Sequence, residues 1–381
     1  MHTKAAILWE PHTKWSVEDI ELDGPRAGEV LVGLAASGLC HSDEHLVTGD
    51  MVLDPAIAEA FGLEQFPVIG GHEGAGEVLE VGPGVTTVAP GDHVVLSFIP
   101  SCGRCPSCAA GQQQLCDLGA FILAGKQIGD FTARHHGHDG RDIGIMACLG
   151  TFEPFTVVNE ASCIKIDPEV ALDKAALVGC GVTTGWGSAT YAADVRPGET
   201  VVVVGCGGVG MNAVQGAALA GASHVVAVDP VAFKREQAPV FGATHAVAGM
   251  EEAQALVAEL TAGAMADKAI LTAGVAEGSL VAPLLSLVKK AGRAVITAVA
   301  PMSQMDVQLN LFELAMMRKE LVGCLFGNAN PRRDVPRLLR LYQEGRLKLD
   351  ELVTRTYDLE DINQGYQDMR DGTNVRGMVV Y

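Results

Sequence analysis

The run Val201 to Val204 followed by Gly205-Cys206-Gly207-Gly208-Val209-Gly210 constrains this chain more than any other stretch. A continuous β-branched run reads as a strand covered on both faces. The glycines read as a tight turn that opens a small-residue helix reaching about Gly221, and a second strand, Val225–Val228, ends at Asp229. A GxGxxG alone is weak, and a chance glycine turn is its competing reading. With a strand before it, a helix after it and an acid closing the next strand, it is the fingerprint of a dinucleotide site. The glycines let a pyrophosphate approach the helix N-terminus, whose free N–H groups and dipole favour anions. The Asp229 carboxylate can accept hydrogen bonds from a ribose diol and repels a 2′-phosphate, which favours NAD over NADP. Lys234 is a candidate ribose or phosphate contact.

Strand candidates continue at Lys268–Leu271 and Arg293–Thr297, separated by helical stretches near Glu251–Leu260 and Ser279–Lys290. Alternating strand and helix predicts an α/β unit with a doubly wound parallel sheet. The first third has a different grammar: short strands at Glu29–Leu34, Gly76–Val81 and His93–Phe98, punctuated by Gly82-Pro83-Gly84 and Pro90-Gly91-Asp92. This predicts a mainly β domain, barrel-like in character. After about Gly323 come a helix, Asp334–Glu344, and strand-like ends at Leu352–Tyr357 and Gly377–Tyr381. Pattern alone leaves open whether this tail caps the nucleotide domain or returns to the first one.

At 381 residues, 48% hydrophobic and 19% charged, the chain suits two domains with substantial cores. Its formal net charge of −19 argues against nucleic-acid and anionic-membrane partners, and no apolar run is long enough to span a bilayer. The start, Met1-His2-Thr3-Lys4, runs into a strand-like segment without the apolar core of a signal peptide, so the expectation is a cytoplasmic protein. Ten cysteines in such a chain point to a reducing compartment, where thiols bind metal, do chemistry or fill cores.

Four of them form Cys102-x2-Cys105-x2-Cys108-x7-Cys116 on a loop turned by Gly103, Pro106 and Gly111. Four thiolates with no open position suit a tetrahedral structural zinc that fastens a loop. An iron–sulfur cluster and four unrelated core cysteines are the competing readings. Three more segments carry metal-capable or acid–base residues: Cys40-His41-Ser42-Asp43-Glu44-His45, Gly71-His72-Glu73 and Gly179-Cys180-Gly181. Each has a bland reading as core, and neither composition nor spacing shows that they meet.

Taken together, Gly38 to Asp43, Gly70 to Gly74, the four-cysteine lobe, Gly179-Cys180-Gly181 with Thr183-Thr184-Gly185, and Gly205 to Gly210 resemble the zinc-containing medium-chain alcohol dehydrogenases. The resemblance covers essentially the whole chain in order. The lobe and the stretch Leu115 to Ala120 are most similar to the actinobacterial nitrosoaniline-dependent members, some of which are nicotinoproteins that retain their cofactor through the cycle.

The resemblance implies a GroES-like catalytic domain over 1–181, completed by 326–381, with an NAD-binding Rossmann domain over 182–325 and the active site in the cleft between them. It implies a catalytic zinc on Cys40, His72 and Cys180, with a fourth position open for water or substrate, beside the structural zinc: two Zn2+ per chain and NAD(H). Zinc in that role acidifies an alcohol, from which hydride passes to the nicotinamide. Ser42 would take the alcohol proton and pass it through the cofactor ribose to His45, which exchanges it with solvent. Asp43 would orient His72, and Glu73 would tune the metal from behind. His41 and Arg376 would bind pyrophosphate, and Thr184 and Val209 would press on the nicotinamide. His41 stands where many relatives carry Arg, which gives less fixed positive charge. Phe98 and Leu149, and Cys148 beside it, are candidate substrate-pocket residues.

Segment 50–66 is longer than in many relatives, with a short helix expected over Pro55–Phe61; it reads as an active-site lid or a neutral surface insertion. The full-length Gly119–Leu149 segment favours a dimer, and the resemblance suggests the Arg293–Ala298 strand as a subunit contact. His135-His136-Gly137-His138-Asp139 reads as a solvated loop. The function expected is oxidation of a primary alcohol, or reduction of the matching aldehyde, with NAD. The alternatives are a thiol-adduct formaldehyde dehydrogenase and a non-catalytic nucleotide-binding protein.

Overall fold

The computed structural model describes residues 1–120 and 122–381. The chain divides into two compact units, Met1–Cys180 with Asn330–Tyr381, and Gly181–Ala329.

In the first unit a closed barrel runs through His2–Leu8, Ser16–Leu22, His135–His136, Asp142–Ile145 and Val68–Ile69, and back to the first strand. Beside it lies a sheet ordered Cys163–Lys165, His93–Leu96, Gly74–Val81, Glu29–Gly38, Arg376–Val380 and Val353–Tyr357, with Phe155–Asn159 also pairing with Glu29–Gly38. Alternation along these strands buries Val30 and Val32 against Val94 and Leu96. The tail's path is settled by register: Arg376–Val380 pairs antiparallel with Glu29–Gly38, Met378 opposite Gly38. The tail therefore finishes the first unit's sheet and brings Arg376 to the strand that leads into Cys40. The helix Pro331–Gln343 lies in the same unit, and its Arg332 Nε donates to Ser101 O at 2.7 Å, bracing the start of the cysteine lobe.

In the second unit the strands run His245–Val247, His224–Val228, Thr200–Val204, Ala266–Leu271, Val288–Ile296 and Glu320–Gly323, each neighbouring pair parallel. Thr200–Val204 is fully buried, as its unbroken apolar run requires. The strand order reverses direction beside it, so its C-terminal end with that of Ala266–Leu271 forms the topological switch point where such sheets bind ligands.

Two expectations need correction. The helix expected over Ser279–Lys290 ends at Ser286, because Val288 already pairs with Ala266 and begins the strand Val288–Ile296. That strand pairs on both sides, with Ala266–Leu271 and with Glu320–Gly323, which forms the edge of the sheet. The histidine run is not uniformly solvated: His135 is buried in the barrel wall, its Nε2 2.8 Å from the buried Glu153 carboxyl. Burial pushes the Glu153 pKa up, against the pull of His135.

The helix Pro55–Phe61 forms with Asp54 capping Ala56 N–H at 2.8 Å and Gly62 closing it in the left-handed region. None of its residues is buried, and Phe61 is 62% exposed. Gln65 fastens the segment's base, donating to Met51 O and accepting from Leu53 N–H, both at 2.8 Å. Among the described residues no helix is long and apolar enough to cross a membrane.

Candidate metal centres and nucleotide site

Cys40 stands at the N-cap of the helix His41–Val47, in extended geometry that ends the strand Glu29–Gly38. His72 follows Gly71, whose φ of +87° is a left-handed conformation; a Cβ there would lie 2.5 Å from Thr151 Oγ1. Only glycine lets this loop press against Thr151 and Phe152 and carry His72 inward. Cys180 closes the turn Leu177–Gly179. The Cys40 and Cys180 sulfurs and a His72 ring nitrogen lie within 4.8 Å of one another, and all three residues are buried.

Anions surround this trio. Asp43 Oδ2 is 3.0 Å from His72 Nδ1, and its Oδ1 accepts the Gly71 N–H at 2.7 Å. Nδ1 thus faces Asp43, leaving Nε2 as the ligating nitrogen. Glu73 is fully buried and ion-paired with Arg376. Its Oε1 has no hydrogen-bond partner among the described residues. The Cys180 thiol, with the His72 and Arg376 charges, holds Cys40 well below the usual thiol range despite burial. Burial opposes protonation of His72, yet Asp43 and Cys40 overcome it and push the imidazole up to about 10. Two thiols and an imidazole amid buried carboxylates make a donor set that calls for a soft divalent cation, and three protein ligands leave a fourth position open. Zinc fits.

The second cluster, Cys102, Cys105, Cys108 and Cys116, also brings four sulfurs within 4.8 Å, with Cys105 Sγ 3.9 Å from Cys116 Sγ. Backbone N–H groups face the sulfurs: Cys105 Sγ accepts from Cys108 and Asp117, Cys102 Sγ from Cys105, each at 3.4 Å. The Asp117 and Cys108 N–H groups bring the Cys105 pKa down to about 7, whereas burial lifts Cys116 to about 12. Four sulfurs with prepared N–H donors fit a closed zinc site.

In the second unit Gly205 sits at φ +96° against the Ala273 backbone, and Thr272 Oγ1 donates to its carbonyl at 2.7 Å. The helix Gly208–Leu219 begins with no side-chain cap, and the space where a Gly207 Cβ would stand is open. This is the free N-terminus a pyrophosphate needs. Asp229 is buried at the end of the next strand, accepting from Cys206 N–H at 2.8 Å and Val231 N–H at 2.9 Å. The carboxylate has further lone pairs for a ribose. The side chain tied to this strand end is Arg235, which donates to the Asp229 and Pro230 carbonyls, each at 2.8 Å; Lys234 precedes it on the helix Ala232–Gln237. Gly185 packs directly on the Val209 carbonyl, which sets Thr184 beside the glycine turn.

The remaining candidates lie as follows. Ser42 Oγ is 3.7 Å from Cys40 Sγ. His45 is buried, and His41 begins its helix. The Phe98 ring stands edge-on to His72, centroids 5.6 Å apart. Leu149 is wholly buried in the core behind Phe98. Cys148 lines a cavity of about 150 Å³ with Leu118, Ile128 and Phe131 and the charged Asp117 and Lys126. Sequence reasoning missed Asp50, whose Oδ2 is 3.1 Å from His45 Nδ1. The acid lies beyond the helix end at Val47 and its cap Thr48, and only the turn brings it back.

A Rossmann-type sheet with a prepared pyrophosphate turn, on a chain whose β unit carries one closed and one open sulfur-rich cluster, defines a zinc-binding dehydrogenase. Two family models match, alcohol dehydrogenase GroES-like domain over residues 26–168 and zinc-binding dehydrogenase over 208–344. The NDMA-dependent alcohol dehydrogenase of Amycolatopsis methanolica is 52% identical over 100% of this chain and 99% of its own. Alcohol dehydrogenase B of Mycobacterium tuberculosis is 51% identical over the same shares. A crystal structure of an alcohol dehydrogenase zinc-binding domain protein from Burkholderia ambifaria superposes with a TM-score of 0.90 at 29% identity, covering 100% of this chain and 99% of that one. The chain belongs to the zinc-containing alcohol dehydrogenase family.

Proposed function

We propose that this enzyme transfers hydride between a primary alcohol, or the matching aldehyde, and NAD, with the cofactor held through turnover and reoxidised by a second substrate or external acceptor. The observation that carries the reading is the convergence of Cys40, His72 and Cys180 on one three-ligand site. The retained cofactor is argued from the 52% identity to an NDMA-dependent relative.

In this reading Met1–Cys180 with Asn330–Tyr381 is the catalytic unit and Gly181–Ala329 the NAD-binding unit. Cys40, His72 and Cys180 hold the catalytic zinc, and Cys102, Cys105, Cys108 and Cys116 the structural one. When bound, zinc supplies Lewis-acid polarisation of the alcohol oxygen, and the nicotinamide supplies the hydride acceptor. The chain's own residues do the rest. Ser42, beside Cys40, takes the alcohol's proton, and His45 hands it to solvent. Asp43 keeps His72 in the tautomer that ligates through Nε2. Phe98 covers the imidazole and gives the substrate side an apolar wall. Gly205, Gly207, Gly208, Val209 and Gly210 cradle the pyrophosphate with His41 and Arg376, Asp229 takes the adenosine ribose, and Thr184 and Val209 back the nicotinamide. Arg376 is ion-paired with Glu73, the carboxylate that would tune the metal from behind.

The reading includes a homodimer in the cytoplasm. Ten cysteines, six of them in the two metal-binding clusters, suit a reducing compartment. Met302, Met305, Leu311, Phe312 and Met316 are exposed just before the edge strand Glu320–Gly323, an apolar patch suited to a second copy.

The test is to purify the protein without added cofactor, gel-filter it, denature it and quantify the released nicotinamide. Near-stoichiometric NAD or NADH, with alcohol oxidation that needs an added acceptor such as a nitrosoaniline and no thiol, is the expected result. An empty protein that cycles on free NAD overturns the retained-cofactor reading, and released NADP overturns the assignment of Asp229.

A further inference from the structure

The relay histidine of this enzyme has a carboxylate partner of its own. His45 is buried in the last turn of the helix His41–Val47, with its side chain 3% exposed. The chain then reverses through Thr48 and Gly49, and Met51 N–H donates to His45 O at 3.0 Å. This turn returns Asp50, whose Oδ2 lies 3.1 Å from His45 Nδ1 and accepts the Thr48 hydroxyl at 2.6 Å. The Asp50 side chain is 26% exposed, so one end of the pair is buried and the other meets solvent.

We propose that Asp50 is the positioning residue of the proton relay: it fixes the tautomer and orientation of His45. This rests on the reading of His45 as the relay's last member. A carboxylate accepts, so Nδ1 carries the hydrogen and the lone pair of neutral His45 lies on Nε2. The ring gains the relayed proton at Nε2, Asp50 stabilises the imidazolium, and the proton leaves the ring for water while Asp50 stays ionised. No electrons move in this step. The Thr48 hydroxyl, with His45 and His12 and against burial, draws the Asp50 carboxyl below its ordinary range, in keeping with a permanent anion. Among the described residues, the charged or titratable groups recorded near the pair include His41, its ring centroid 6.4 Å from that of His45, His12, and Glu44, which Arg370 of the helix Ile362–Arg370 pairs with at 2.6 Å. The Asp50 carboxylate faces the ring at Nδ1.

The test is nitrogen-15 and proton NMR titration of the zinc-loaded full chain with its cofactor, comparing wild type with Asp50→Asn and using His45→Gln to assign the resonances. In Asp50→Asn the Nδ1–H tautomer of His45 should lose its dominance. Proton-coupled turnover should fall about tenfold in kcat with KM little changed, and Asp50→Glu should restore turnover and tautomer in part. Asp50→Asn should add nothing in a His45→Gln background. A His45 tautomer unchanged in Asp50→Asn, while His45→Gln still slows turnover, overturns the positioning role alone. A His45→Gln enzyme that turns over as wild type overturns the relay and the positioning role together.

Discussion

Asp43 grips His72 from two sides, its Oδ2 3.0 Å from the imidazole Nδ1 and its Oδ1 bound to the Gly71 N–H at 2.7 Å. One buried carboxylate thus sets both the ring's tautomer and the backbone that delivers it. Asp43→Asn keeps the shape but loses the charge, and catalytic-site zinc affinity should fall about 10- to 100-fold. Competition against a chromophoric chelator reads the change, with zinc in the four-cysteine lobe as the internal reference.

The lobe should behave independently. Cys105→Ser removes one of its four sulfurs, and the zinc content per chain should fall by about one equivalent. The lobe backbone, which depends on N–H contacts to those sulfurs, should become cleavable between Ser101 and Asp117 under limited proteolysis. Loss of both zincs together would show that the two centres are coupled.

A buried ion pair ties the first unit's sheet to its barrel. Arg134 donates through Nε to Glu29 Oε2 at 2.8 Å and through an amino group to Oε1 at 2.5 Å, and both side chains are buried. Arg134→Met removes the buried counter-charge of Glu29 and leaves its carboxyl only the Arg26 N–H, which should cost about 3–5 kcal/mol in chemical denaturation. Pairing it with Glu29→Leu should recover most of that loss, because the penalty belongs to the stranded charge.

Acid should loosen the tail. The Tyr357 hydroxyl, Gln364 and Arg355 hold Asp368 below its ordinary value of 3.8, against the opposing effect of burial, with Tyr357 Oη at 2.7 Å and Arg355 at 2.6 Å. A depressed folded pKa means the unfolded chain binds the proton more tightly, so this stabilisation is present above 3.8 and is lost as pH falls through the folded value. Asp368→Asn should therefore unfold more easily than wild type at neutral pH, by about 1–2 kcal/mol. The gap in urea midpoint should close in acid. A gap that stays constant with pH would assign the effect to packing.

What the sequence made legible followed from local rules. Thr200–Val204 had to be a doubly covered strand, and Gly205 to Gly210 needed backbone freedom that only their order supplies. The helix Pro55–Phe61 was written in its Asp54 cap, leading proline and closing Gly62. The four lobe cysteines were close in sequence, so their spacing alone predicted a site. Cys40, His72 and Cys180 were not, and only the resemblance brought them together before the fold did. Side-chain pairings were the least legible part. Asp50 returns to His45 through a turn that periodicity does not encode, and His135 is buried because its barrel strand passes Glu153. The overlong helix reading at Leu287 to Lys290 has a similar cause, since apolar Leu287 and Val288 are buried as readily in a strand as in a helix.

The account's central claim is that Cys40, His72 and Cys180 hold the zinc at which alcohol reacts. The most direct measurement is a matched zinc count and alcohol-oxidation rate, with added electron acceptor, for wild type and for His72→Ala. The account predicts about two zincs per chain in wild type, about one in the variant, and alcohol oxidation lost with the missing metal. A His72→Ala protein that keeps wild-type turnover would contradict it.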